Sequence, residues 1–67
     1  MNAAERKHLK KRLRDNAKKL ANSEYSTVGL SWYEWREVAV FYSQSLPFYV
    51  DSREHQIMFY LLAAEGI

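Results

Sequence analysis

Hydrophobic positions recur every three or four residues in three separate stretches of the chain, and the three stretches predict three helices. In the first, Leu9, Leu13, Ala17, Leu20 and Ala21 fall within about a third of the circumference at about 100° per residue. Residues 3–22 are rich in Ala, Leu, Lys and Arg and contain no Gly or Pro, a composition that favours helix. The apolar stripe is too narrow to hold a helix alone, so it is expected to dock on the rest of the chain or on another copy. Asn22-Ser23 and Ser26-Thr27 then break the pattern and Gly29 marks a turn, leaving 23–30 as a connection.

Ser31-Trp32-Tyr33-Glu34 has the capping-box arrangement and opens a second helix over about 32–45. Trp32, Trp35, Val38, Ala39, Tyr42 and Leu46 share its expected core face, Tyr33 and Val40 point to another flank, and Phe41 lies nearly opposite the core. Val38 to Tyr42 also reads as a strand on β-propensity, but the helical period and the cap outweigh it. Pro47 is expected to end the helix, and Phe48-Tyr49-Val50 to be extended. Asp51-Ser52-Arg53-Glu54 repeats the capping pattern with Asp51 at the N-cap, so a third helix is expected over about 52–65, stopping at Gly66. From Ile57 to Ala64 this helix is apolar nearly all round, which demands burial or a partner surface. The reading is an all-α single domain over 1–67: a long basic amphipathic N-terminal helix plus an aromatic-rich helical hairpin.

Charge sharpens the division. The net charge of +2 hides +6 over residues 1–20 and −4 over residues 21–67, and all ten aromatic residues lie from Tyr25 onward. Lys7, Lys11, Arg14 and Lys18 are spaced i, i+4, i+7, i+11 and line one helix face over about 16 Å, enough to track two or three phosphates. Arg12 and Lys19 form a second row beyond the apolar stripe, with Lys10 flanking it. Eight basic residues within fourteen positions exceed what solubility requires.

Enzymatic chemistry is the least supported class. There is no cysteine, no Gly-rich phosphate loop, and His8 and His55 stand far apart without a local ligand or triad partner. Glu34 and Glu37 are a turn apart, but Glu34 is committed to a cap. No catalytic residue, metal site or cofactor is expected, and so short a chain has little volume for a pocket of a few hundred Å³. The absence of cysteine and of an apolar N-terminal leader points to a reducing, cytoplasmic setting. The longest apolar run, eight residues against the roughly 20 that span a bilayer, predicts no transmembrane helix, and the basic helix lacks the aromatic anchors of a membrane-surface helix.

Two partners are compatible with this pattern. The first is nucleic acid, held by its backbone on Lys7, Lys11, Arg14 and Lys18 with Lys10 and Arg12 beside them; the apolar third helix is unsuited to reading base edges. The second is a larger protein with an acidic surface, bound by a small regulator or inhibitor through the basic helix and through aromatics left over from the core, Tyr33, Phe41, Phe48, Tyr49 and Tyr60. A homodimer is a further expectation, because Leu9, Leu13, Asn16 and Leu20 follow the 4-3-4 spacing of a short coiled-coil seam.

Overall fold

A computed structural model describes residues 1–43, 46 and 49–67. They form three helices, α1 (Ala3–Ala21), α2 (Trp32–Ser43) and α3 (Arg53–Gly66), with no strand among the described residues. The expected small all-α, three-helix domain is the fold this chain adopts. Pro47, expected to end the second helix, and Phe48, expected to be extended, lie outside the described residues, as do Gln44 and Ser45.

Local chemistry sets the helix ends. Asn2 caps α1: its side chain accepts from the Glu5 N–H at 2.8 Å, and the Glu5 carboxylate reaches back to the Asn2 N–H. The far end closes with Ser23 in the left-handed region at φ 59°, the Glu24 N–H donating to the Lys19 carbonyl and the Ser23 N–H to the Leu20 carbonyl. This is the paired closure that usually takes glycine. The Ser31–Glu34 box forms as the sequence indicated, with bonds of 2.8 and 3.2 Å in its two directions. At α3 the cap shifts by one: Ser52, not Asp51, accepts from the His55 N–H, and Gly66 is the last helical residue rather than the stop. Asp51 instead faces the His55 ring nitrogen at 3.2 Å.

Helices α1 and α3 make the extensive pairing, α2 packs more lightly on α3, and the backbones of α1 and α2 barely approach each other. Arg53, at the start of α3, donates to the Ser23 hydroxyl just beyond the end of α1, so the two paired helices run antiparallel. The core joins Leu9 and Leu13 of α1, Val38 of α2, and Phe59, Ala63 and Ala64 of α3. Two alanines at the contact let the leucines approach the α3 backbone closely. Leu9, Leu13, Asn16 and Leu20 are all buried inside the chain. The coiled-coil seam expected from their spacing is therefore used up within one molecule.

Side-chain polarity fixes how α2 sits. Arg12 of α1 donates to both carboxylate oxygens of Glu34, from Nε at 3.0 Å and from Nη2 at 3.3 Å, and Nη2 also donates to the Gly29 carbonyl at 3.1 Å. The buried Asn16 side chain donates to the same carbonyl at 2.9 Å. Gly29 lies at φ +143°, a conformation that L side chains rarely adopt. Pulling Glu34 inward turns the line Glu34, Val38, Phe41 toward the core, since these positions follow i, i+4, i+7.

That rotation corrects the expected α2 face. Trp32, Trp35 and Tyr42, on the face the period predicts as core, are 77%, 40% and 46% exposed, whereas Phe41, nearly opposite that face, packs on the core with its ring against Gly66. Tyr42 still meets Trp35 and Phe59 edge to face, and Trp35 meets Phe59 at a tilt, with ring centroids 5.4–5.9 Å apart.

Two outcomes test this packing. Leu13 is fully buried, so Leu13→Ala should cost about 2–5 kcal/mol, a large part of the total stability of so small a domain; urea unfolding followed by circular dichroism reads it. The Arg12 hydrogen bond holds the Glu34 carboxyl below its ordinary 4.5. A depressed folded-state value means that the ion pair contributes stability above the ordinary glutamate range and loses it as pH falls through the lowered value. Thermal melts between pH 7 and pH 3 should show that loss, and Glu34→Gln should be less stable at pH 7 and flatter below pH 4.5.

Candidate nucleic-acid interface

The basic residues of α1 divide into two groups by what the fold does with them. The helix turns Leu9, Leu13, Ala17 and Leu20 inward. At about 100° per residue this leaves Lys7, Arg14, Lys18 and Lys11 on one outer flank, about 100–160° round from Leu13. All four are exposed, and Lys10 beside them is half-buried. Lys7, Lys10, Arg14 and Lys18 have no ion-pair partner among the described residues. Lys11 pairs with Asp15 one turn on at 2.9 Å, an exposed pair. Its bond to Lys11 holds the Asp15 carboxyl below the usual range. Such exposed pairs are worth about 0–1 kcal/mol and exchange readily for a phosphate.

Arg12 belongs to the other group. Its guanidinium is held by Glu34 and the Gly29 carbonyl, and the Glu34 bond raises its pKa further. The expectation that Arg12 adds to an open cationic surface is corrected: it is the structural link between α1 and α2. The open charge that forms a continuous line is therefore the i, i+4, i+7, i+11 row with Lys10 at its edge; the exposed Arg6 and half-buried Lys19 lie off it. Lys18 and Lys19 stand in the last turn of α1, where the negative end of the helix dipole stabilises their charge.

The expected aromatic interface is rearranged. Tyr49 is 85% exposed and Tyr33 44%. The Tyr33 hydroxyl donates to Glu5 at 3.1 Å, which holds its proton and raises its pKa. Phe41 and Tyr60 pack against the core, and burial pushes the Tyr60 phenol up. Phe48 lies outside the described residues. In exchange the surface carries aromatics that were read as core: Trp32, with the Arg36 guanidinium 5.7 Å from its ring centre, and the edges of Trp35 and Tyr42. Nothing in the bare periodicity marks Trp32 as exposed, because the rotation of α2 follows from a side-chain pair 22 residues apart in sequence.

An apolar hollow of about 310 Å³ opens between the first turns of α1 and α2, lined by Met1, Ala4, His8, Leu9 and Tyr33 with Glu5 and Glu34 at its wall. The volume is larger than the short chain led us to expect. Both of its carboxylates already hold partners, Glu5 the Asn2 N–H and the Tyr33 hydroxyl, Glu34 Arg12 and the Ser31 N–H. Among the described residues no cluster of three or more His, Asp or Glu is placed to hold a metal, and no helix is long and apolar enough to cross a membrane. Comparison with protein-family models, with curated proteins and with solved structures yields no match to this chain.

Proposed function

We propose that this protein binds nucleic acid without sequence reading, through the phosphate backbone, on the outer flank of α1. The observation that carries this reading is the row of Lys7, Lys11, Arg14 and Lys18: four exposed cations on one line, of which, among the described residues, only Lys11 is met by an acid. The row spans about 16 Å of helix, enough to follow two or three consecutive phosphates of a strand. Binding is driven by release of counterions from the nucleic acid and needs no base contact. Rigidity supports it. The inner face of the same helix is buried in the core, so the cations project from a fixed backbone and lose only side-chain freedom on binding.

Fluorescence anisotropy with a labelled oligonucleotide tests the proposal. Affinity should fall steeply with salt, with a slope of log K against log salt of roughly −2 to −4, corresponding to a few neutralised phosphates. Lys18→Ala should reduce the slope by about 1 and weaken all sequences alike. Reversing all four cations to Glu should abolish binding while leaving the helical signal intact. No retardation at low salt, or binding that survives the fourfold reversal, rejects the proposal.

A second reading, a regulator that docks on a larger protein, is favoured by Trp32 and Tyr49, whose 77% and 85% exposure is unusual for such large rings in a domain with so small a core. The two readings separate cleanly. If the α1 row is the contact, Trp32→Ala and Tyr49→Ala change oligonucleotide affinity by less than about twofold, since they touch neither the row nor the core. A loss of tenfold or more in either variant transfers the contact to the aromatic surface.

A further inference from the structure

One side of α3 is left uncovered by the described residues. Phe59, Ala63 and Ala64 face the core, while Met58, Leu61 and Leu62 remain 47%, 44% and 41% exposed. The described residues measure 31 × 27 × 19 Å, and the short dimension admits only about two helix layers, so they leave one side of a helix that is apolar nearly all round from Ile57 to Ala64 unwrapped. At about 100° per residue, Glu54, Met58, Leu61 and Glu65 lie within about 60° of one another, on the side opposite Ala63. They form a ridge whose order is acid, apolar, apolar, acid. Glu54 and Glu65 are exposed. Among the described residues Glu54 pairs with its neighbour Arg53 at 3.9 Å, whose other guanidinium nitrogen is drawn to Ser23 and Tyr25.

The spacing of this ridge is i, i+4, i+7, i+11, identical to that of Lys7, Lys11, Arg14 and Lys18 on α1. Laid along each other, the two lines match at every position. The outer cations Lys7 and Lys18 meet the outer acids Glu54 and Glu65. The central Lys11 and Arg14 lay their methylene stems over Met58 and Leu61 with their charged ends at the edge. Because acids stand at both ends of the ridge, the pairing works with the helices parallel or antiparallel. Neither line can pair with its own kind: two cationic rows repel, and two ridges bring Glu54 and Glu65 together.

We infer that the outer ridge of α3 is a docking surface for a second copy of this chain, whose α1 cationic row is the occupant. Charge complementarity selects the occupant: both members of an equally spaced, oppositely charged pair are carried by the same sequence. The contact joins two unlike surfaces, so it closes reciprocally into a pair or continues into a larger array. It differs from a leucine seam on α1, which the core has consumed. It does not rest on the nucleic-acid reading, although a nucleic acid bound to the row would displace the second copy.

Sedimentation equilibrium on protein stripped of nucleic acid tests the inference. In low salt the weight-average mass should rise from that of the monomer at about 5 µM toward that of a dimer or more at about 200 µM, and fall back in high salt. Two variants, Glu54→Lys with Glu65→Lys, and Lys7→Glu with Lys18→Glu, should each remain monomeric over that range, with far-UV circular dichroism unchanged. Mixed in equal amounts they should associate again, because the reversed row of one then faces the reversed ridge of the other. Wild-type protein that stays monomeric throughout, self-association that either variant retains, or a mixture of the two that fails to associate, each overturns the inference. Recovery in the mixture cannot arise from misfolding, since each variant must be folded to rescue the other.

Discussion

The Arg12 guanidinium holds together parts of the molecule that apolar packing alone leaves loosely joined. It donates to Glu34 and to the Gly29 carbonyl, and Asn16 adds a second donor to that carbonyl. The backbones of α1 and α2 hardly touch, so this polar cluster, rather than a ridge-and-groove fit, decides the rotation of α2. Everything downstream inherits the choice: Val38 becomes the innermost residue of α2, Phe41 turns to Gly66, and Trp32 swings out to solvent. The arrangement needs Gly29 at its positive φ, the Ser31 cap that supplies a further donor to Glu34, and a partly buried setting in which hydrogen bonds between charged groups are strong. Asn16 is the one imperfectly satisfied member. Its Oδ1 is buried without a partner among the described residues, a cost accepted where its Nδ2 fixes the loop.

Small size explains the rest of the surface. A domain of 67 residues buries a low fraction of what its unfolded chain exposes. With α1 and α3 paired and α2 laid on lightly, each helix keeps an outer side. On α1 that side is cationic, on α2 aromatic, and on α3 apolar between two acids. Arg12 and Glu34 cancel one charge from each half of the sequence in their ion pair, while the cations of the α1 row and the acids Glu54 and Glu65 of α3 stay at the surface. On both proposals the same α1 row is the contact, met by a polyanion in one and by the acidic ridge of a second copy in the other.

The helices and their caps were legible because their causes are local. Ser31 and Glu34 stand three residues apart, and the leucines of α1 repeat with the helical period; each signal fits within one or two turns. The core side of α1 followed directly, as did the exposed cationic row. The face of α2 was not legible, because Arg12 and Glu34 are 22 residues apart and either could have been a surface charge. Periodicity alone chose the larger aromatic stripe as core, and the charge-assisted bonds chose the other. Arg12 was misplaced in the site for the same reason. The outer ridge of α3 was legible in principle: Glu54, Met58, Leu61 and Glu65 repeat the spacing of the α1 cations. Seeing it requires knowing which side of an all-round apolar helix the chain leaves bare, and that is a property of packing.

The central claim is that α1 works with two faces, the inner one holding the fold and the outer row meeting a polyanion. Amide chemical shifts during titration with an oligonucleotide test it most directly, because they report fold and contact in one experiment. The account predicts progressive, salt-sensitive shifts at Lys7, Lys11, Arg14 and Lys18, with Leu9, Leu13 and the helix α3 core residues Ala63 and Ala64 little changed. Shifts centred on Trp32, Trp35 and Tyr49 with the α1 row silent, or no shifts at low salt, would contradict it.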